Sequence, residues 1–368
     1  GYSSAASDVY KRQEIDMVDF KEKFKELIEH TFIPSTASSV VKTKAWHNIY
    51  NLLIPNIPEK LYRYRSFNEY SLSDFENGKI SLCHAGMFPD KYDSYIYVDR
   101  NKIHQDLEFA LKNALQNCLQ DVTQKSPFLK TEKASEICYY RELGLSEKQI
   151  IEKLYNNYSN FIDDIKNDMK KRETRLRNSC SNAKIGCFTE SVQSKYMWDR
   201  YADGYKGFAL EYDFRKCIYK YTNINLNVNL FPVIYTDILP DFTLEEGNLY
   251  VRECFSKLDV NNVWSYMLDI NCPFNQLYFY KAYLYKDRKE YSHECEWRML
   301  YYNLEDDNDY VSIPDVECLK AIYYGPDIKY ENKERLHKIA MEKGIKEYEV
   351  YLDTETRDYS LQVKLLKE

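Results

Sequence analysis

Glycine and proline are scarce, ten of each among 368 residues, below the usual shares of roughly 7% and 5%. That excludes collagen-like, glycine-rich and proline-rich chains. No stretch approaches the roughly 18 uninterrupted apolar residues of a membrane span, and no secretory signal opens the chain, so a cytoplasmic protein without membrane association is expected. A basic balance is missing as well: 51 Lys and Arg face 58 Asp and Glu, a formal charge of -7. Broad binding to a nucleic-acid backbone needs clustered basic residues, so at most a local basic groove is expected. The ten cysteines form no Cys-x-x-Cys pair, which argues against a zinc site or a disulfide framework and for reduced, mostly buried thiols. The G-x-G-x-x-G loop, the P-loop, the nucleophile elbow and H-E-x-x-H are all absent, and the six histidines lack metal-ligand spacing. No metal is expected.

What is present suits a globular core. Hydrophobic residues make up 44% of the chain, and tyrosine, at 36 residues, is the outlier. Tyrosine adds a large ring and a hydroxyl able to pair inside a core. Its weight, with many Lys, Asn and Ile, suggests an AT-rich microbial genome. The run Ser3 to Gln13, SSAASDVYKRQ, resembles the in-frame translation of a transposase adaptor used in DNA library preparation. Residues 1–13 are therefore set aside as a metagenomic assembly artefact, with the native start at Met17 or lost.

Met17, Phe20, Phe24, Leu27 and Ile28 recur at helical spacing and predict an amphipathic helix in an N-terminal helical segment, 14–60, ended by the Ser/Thr stretch 35–39. Strands are predicted at 61–65 and, after the Asn77-Gly78 turn, at 79–83. Residues 101–182 are a helical insertion: Ile103, Leu107, Leu111, Leu115 and Leu119 stay in phase, as do Ile151, Leu154, Tyr158, Ile162 and Ile165. Ser146 with Gln149 makes a capping box. Strands return at 185–189, 207–213, 231–236, 296–302, 321–325, 346–352 and 359–366, the last alternating Tyr359, Leu361, Val363 and Leu365 against polar neighbours. Leu336, Ile339 and Ala340 mark a helix closed by Gly344, while 240–290 has no clean period and reads as short helices and loops. The fold class expected is α+β. It comprises one domain over 61–368 with a mixed, mainly antiparallel β-sheet core to which both β-rich blocks contribute.

Four segments concentrate chemistry. In LYRYR, Arg63 and Arg65 share one strand face and Tyr62 and Tyr64 the other; two guanidiniums can fork onto a phosphate, or simply show charge to water on an edge strand. In YSHECEWRML, Glu294, Glu296 and Arg298 share a face, with Trp297 and Met299 opposite. They suit either a tuned acid pair or an ion-pair ladder. Thr189, Glu190 and Ser191 sit at a strand end before Tyr196, Trp198 and Tyr201, aromatics that serve a core or a ligand platform. Asp90 and Asp93 in MFPDKYDSY fit an Asx turn. With Glu294 and Glu296 they also compose the carboxylate cluster of a metal-dependent nuclease, a separate reading.

In order, LYRYRS, MFPDKYD, CFTE with MWDRYADGYKGFALEYD, ECEWRML, LKAIYYG and DYSLQVK resemble the bacterial domain-of-unknown-function family 2971 over about 61–366. The family tends to carry Phe-Asn-Asp-Pro-Phe-Asp where this chain has Phe88 to Asp93. More distantly the order of elements is similar to the ADP-ribosyltransferase superfamily, in which a basic first strand, a central aromatic and a late glutamate build an NAD site. That resemblance implies NAD as substrate, with Arg63 or Arg65 (and Arg298, Tyr64) on the cofactor side. It places Tyr196, Trp198 or Tyr201 at the nicotinamide, and Glu296, with Glu294 as competitor, at the ribose. Breaking the nicotinamide–ribose bond passes through an oxocarbenium-like state that such groups suit. The function expected is an NAD-consuming ADP-ribosyltransferase-like or NAD-glycohydrolase domain of a bacterial toxin or phage-defence system. Its partners would be a small-molecule nucleotide and a protein or nucleic-acid acceptor, with the oligomeric state open. The alternative is a non-catalytic binding or regulatory module.

Overall fold

The strand Ala183–Thr189 carries three neighbours, and that arrangement shapes the whole sheet. In the computed structural model the described residues are 19–34, 36–90, 92–123, 132–157, 183–216, 228–248, 275–302, 310–315, 317–355, 357 and 359–367. The described strands are β1 (Leu61–Arg65), β2 (Lys79–His84), β3 (Ala183–Thr189), β4 (Phe208–Tyr212), β5 (Val228–Pro232) and β6 (Ile234–Thr236). They continue with β7 (Tyr285–Asp287), β8 (Glu296–Tyr302), β9 (Tyr310–Pro314), β10 (Leu319–Tyr324), β11 (Lys346–Leu352) and β12 (Leu361–Lys367). Ten of them form one sheet in the order β12-β11-β10-β4-β1-β3-β2-β9, with β8 on β3 and β5 on β8; β6 and β7 make a separate parallel pair. Within the large sheet β10–β11 is parallel and the other pairs are antiparallel. The fold is thus α+β around a mixed, mainly antiparallel sheet.

β8 runs along the full length of β3, from Ala183↔Tyr302 to Thr189↔Glu296. The opposite edge of β3 is shared: β2 pairs at Cys83↔Ile185 and His84↔Lys184, whereas β1 meets it at Tyr62↔Thr189. β1 and β2 therefore diverge, and a fork opens between them. Side chains span it, Arg63 Nη2 donating to the Ser81 carbonyl at 2.5 Å and Arg65 Nη2 to Ser81 Oγ at 3.1 Å.

Strand alternation sorts the core onto both faces of the sheet. Leu61, Phe208, Leu210, Ile322 and Tyr324 enter one cluster, with Phe20, Phe24 and Ile28 of the 19–30 helix, Ile49 and Leu53, and Leu336 and Ile339. Tyr62, Tyr64, Ala209, Ala321 and Tyr323 enter the other, with Trp198, Val350 and Leu361. Ser38 starts a helix over Ser39–Leu53 by accepting from the Val41 N–H. Within that polar stretch Ser38 and Ser39 therefore open a second helix, because serine serves as an N-cap as readily as a stop. Gly344, at φ 62, closes Tyr330–Lys343, the left-handed C-terminal position that glycine tolerates.

The insertion holds helices Arg100–Thr123, Glu132–Glu142 and Glu147–Asn157. Ser146 and Gln149 make the reciprocal capping box, Ser146 N–H donating to Gln149 Oε1 at 2.9 Å and Gln149 N–H to Ser146 Oγ at 3.4 Å. Ile103, Leu115 and Leu119 are buried, as are Ile150 and Leu154, so the buried stripe of the last helix runs through Ile150 where the pattern had suggested Ile151. Met17, Tyr158, Ile162, Ile165 and the side chains of Leu107 and Leu111 lie outside the described residues. The strand predicted at 231–236 is two, broken at Val233, because its halves pair with different partners, β8 and β7. The final strand begins only at Leu361, which is buried; Tyr359 precedes it and is exposed, as is Leu365 within it. Among the described residues no helix is long and apolar enough to cross a membrane.

Candidate functional site

A cavity of about 210 Å³ occupies the mouth of the β1/β2 fork. Arg63 and Arg65 come from β1, Cys187 and Phe188 from β3, and Glu296 from the start of β8. Tyr201 is contributed by the Lys195–Tyr201 helix, Lys286 by β7, and Glu294 by the 3-10 turn Ser292–Glu294. Asp90 and Asp93, in the loop after β2, close the rim with Phe88 and Tyr291.

The carboxylate wall is tightly paired. Arg298, without solvent exposure, holds Asp93 in a two-pronged bridge, Nη1 to Oδ1 at 2.8 Å and Nη2 to Oδ2 at 2.5 Å. The same guanidinium donates from Nε to Glu296 Oε1 at 2.9 Å and from Nη1 to the Tyr283 carbonyl at 2.7 Å. Lys286 Nζ donates to Glu294 Oε2 at 2.7 Å and to Glu296 Oε2 at 2.9 Å, and lies 3.9 Å from Asp93 Oδ2. Tyr201 donates its hydroxyl to Glu294 Oε1 at 2.8 Å, and the Glu296 N–H donates to the Tyr235 hydroxyl at 2.8 Å. Three carboxylates against two cations leave one net negative charge in this buried cluster. Burial alone would push the Glu296 carboxyl up. The Arg298 and Lys286 charges and the hydrogen bonds from Arg298 and Cys187 prevail and hold it at about 2, so it is a carboxylate at neutral pH. Burial likewise opposes the charge of Lys286, and its carboxylate neighbours override that and raise it. Burial and the adjoining Glu296 raise the Cys187 thiol, which is therefore no thiolate nucleophile.

The arginine wall is built the other way. Arg63 lies over the Phe188 ring at 5.6 Å, and its Nη1 is buried without a hydrogen-bond partner. The carboxylate facing Arg65 is Asp74, at the 4.0 Å limit of an ion pair. Burial, then the charge of Arg63, push Arg65 down to about 9. An arginine stays protonated in proteins, so this pressure expresses positive charge that the protein leaves undercompensated.

Of the residues singled out from sequence, Arg63, Arg65, Tyr64, Tyr201, Glu294 and Glu296 meet at this cavity, and Tyr196, Trp198 and Arg298 do not line it. Trp198 is core: it is fully buried and donates Nε1–H to the Val192 carbonyl at 2.7 Å. Tyr196, on another face of the same short helix, packs edge-on against His293. Arg298 sits behind the carboxylates and orients them, so it supports the site without facing a ligand. Glu294 is off the strand, because Cys295 turns the chain at φ 45. It still meets Glu296, through Lys286. Asp90 caps an Asx turn by accepting from the Tyr92 N–H at 2.9 Å. Of the four carboxylates proposed for a metal, Asp93, Glu294 and Glu296 point at Lys286 or Arg298, and no group of three or more His, Cys, Asp or Glu able to hold a metal occurs among the described residues. A hard cation at these three carboxylates would have to displace both bases.

Lys286 was invisible to periodicity, since 240–290 carries none, and Tyr291, the first residue of YSHECEWRML, was not singled out within that segment. The signal that could have found them is the density of charge in KDRKEYSHECE, 286–296.

Residues 197–299 match the model of the family described as Protein of unknown function (DUF2971). The matched segment includes Tyr201, Lys286, Glu294, Glu296 and Arg298, hence most of the carboxylate wall, while Arg63 and Arg65 lie before it. No curated protein and no solved structure matches the chain.

Proposed function

We propose that the chain is an NAD-consuming enzyme that breaks the nicotinamide–ribose bond, as an NAD glycohydrolase or an ADP-ribosyltransferase-like transferase. It would act in the cytoplasm within a bacterial toxin or phage-defence system. The observation that carries the reading is the polarity of one cavity: undercompensated arginines on one wall and a net-negative carboxylate cluster with Tyr201 on the other. NAD joins a phosphate anion to a cationic nicotinamide ring across one ribose, so its two charges suit the two walls. Arg63 and Arg65 would take pyrophosphate oxygens.

As the C1′–N bond breaks, its electron pair leaves with neutral nicotinamide and positive charge gathers on the ribose. Glu296, already a carboxylate, would stabilise that charge and accept a ribose hydroxyl's hydrogen bond. Glu294, bonded to Tyr201, stands beside it. Water or an acceptor group then bonds to C1′ and loses its proton. The cavity lies below the roughly 300–1,000 Å³ of pockets that enclose a whole drug-sized ligand, so the adenosine half would stay outside.

The test is nicotinamide release from NAD, followed by mass spectrometry with and without cell lysate, beside Glu296→Gln. Release that the variant loses supports the reading; ADP-ribose attached to a lysate component marks a transferase, and free ADP-ribose a hydrolase. The same wall favours one competitor. Each Glu296 oxygen is already paired with a base, as in a module that binds a nucleotide without turning it over, and NAD binding without release would decide for that.

A further inference from the structure

Periodicity does not point to Lys286, yet its ammonium sits at the centre of the carboxylate wall. We propose that Lys286 is a positioning residue that clamps Glu294 and Glu296 side by side at the cavity and fixes the charge of that wall at one net negative unit. This deepens the NAD reading, and only its activity arm rests on it.

Both Oε2 atoms lie within hydrogen-bond reach of one nitrogen, at 2.7 and 2.9 Å, so they are no farther apart than those two lengths laid end to end. Like charges that close, in a site only 7% exposed at Lys286, would otherwise drive a proton onto one of them. The third direction of the ammonium faces Asp93, and Nζ lies 4.3 Å from the centre of the Tyr291 ring.

Arg298 cannot take over, because Asp93, Glu296 and the Tyr283 carbonyl occupy its donors. The other titratable groups here are Tyr201 on Glu294, Tyr235 at the Glu296 N–H, and Cys187 beside Glu296. None of these brings a positive charge; Tyr291 packs on Lys286 with Asp90 nearby, and Arg200, the remaining cation at the rim, is exposed and hydrogen-bonds Tyr201 rather than either glutamate. The backbone is pinned on both sides of the lysine. Tyr235 is its register partner in the β6–β7 pair, and Asp287 accepts from the Lys289 and Glu290 N–H groups to start the next turn.

The experiment compares thermal unfolding of the wild-type chain, Lys286→Met, Lys286→Arg and Lys286→Met/Glu294→Gln between pH 5 and 8, with nicotinamide release measured in parallel. Without the ammonium, one glutamate takes up a proton in the folded state. Lys286→Met should therefore lose more stability at pH 8 than at pH 5. The double variant restores the charge count and should flatten that dependence, and Lys286→Arg should resemble the wild type. Activity of Lys286→Met should fall about a hundredfold, mainly in kcat, with its acid limb moved up into this range.

An equal loss at every pH that Glu294→Gln does not relieve overturns the clamp, and so does failure of both methionine variants to fold. Folding of the double variant alone supports it. A wild-type chain that releases no nicotinamide sinks the NAD reading, while the unfolding curves still decide the clamp.

Discussion

The two charged walls of the cavity are built on opposite plans. The carboxylate wall pairs Glu294 with Lys286 and Tyr201, Asp93 with Arg298, and Glu296 with both bases. The arginine wall leaves Arg63 Nη1 without a partner and Arg65 with Asp74 at the edge of range. A buried charge without a counterion is costly, so its persistence on one wall is what a ligand anion would relieve. The difference teaches how to divide the residues. The paired wall answers to stability first, and the unpaired wall to ligand.

Four measurements would break or sharpen that division. The largest effect is expected from Arg298→Met, which leaves Asp93 and Glu296 short of a buried partner; denaturant unfolding should show a loss of about 3–5 kcal/mol. A loss below about 1 kcal/mol would mean that the wall is not held by charge. Acid comes second. Glu296 is held at about 2 against an ordinary 4.5, so its stabilisation is complete above pH 4.5 and drains away as pH falls towards 2. Unfolding free energy should drop through that window, and Glu296→Gln should flatten part of the slope.

Arg63→Ala gives up the hydrogen bond to the Ser81 carbonyl but relieves a buried guanidinium whose Nη1 is unpartnered, so stability without ligand should change by no more than about 1 kcal/mol. It should abolish the thermal shift produced by NAD or pyrophosphate, and a large loss of stability would place Arg63 in the scaffold. The smallest effect belongs to Tyr196→Ala. Placed outside the cavity, it should leave nicotinamide release within about twofold of wild type, whereas Tyr201→Phe, which removes the hydroxyl on Glu294, should not.

Local pattern made most elements readable. The alternation in LYRYR put Arg63 and Arg65 on one face and Tyr62 and Tyr64 on the other, and the structure buries those tyrosines in one cluster. Capping chemistry at Ser146 and Gln149 and the stop at Gly344 needed nothing beyond adjacent residues. Trp198 shows where pattern stops. A tryptophan one helical turn from Tyr201 is equally compatible with ligand and core, and what settles it is the Val192 carbonyl and the strands packed around it. β7 escaped notice because it is three residues long and pairs only with another three-residue strand, too short for any period to register.

Composition and periodicity sufficed for the fold class, the mainly antiparallel sheet, helices between β2 and β3 and the two faces of β1. Those depend on interactions between near neighbours, which a linear chain displays. The cavity depended on contacts across long separations: β1 and β2 parting along β3, Asp93 reaching Arg298, and Lys286 arriving between Glu294 and Glu296. Burial then set the chemistry, because the same carboxylates and bases in water would not hold one another in place, and Glu296 and Lys286 would titrate where such groups ordinarily do.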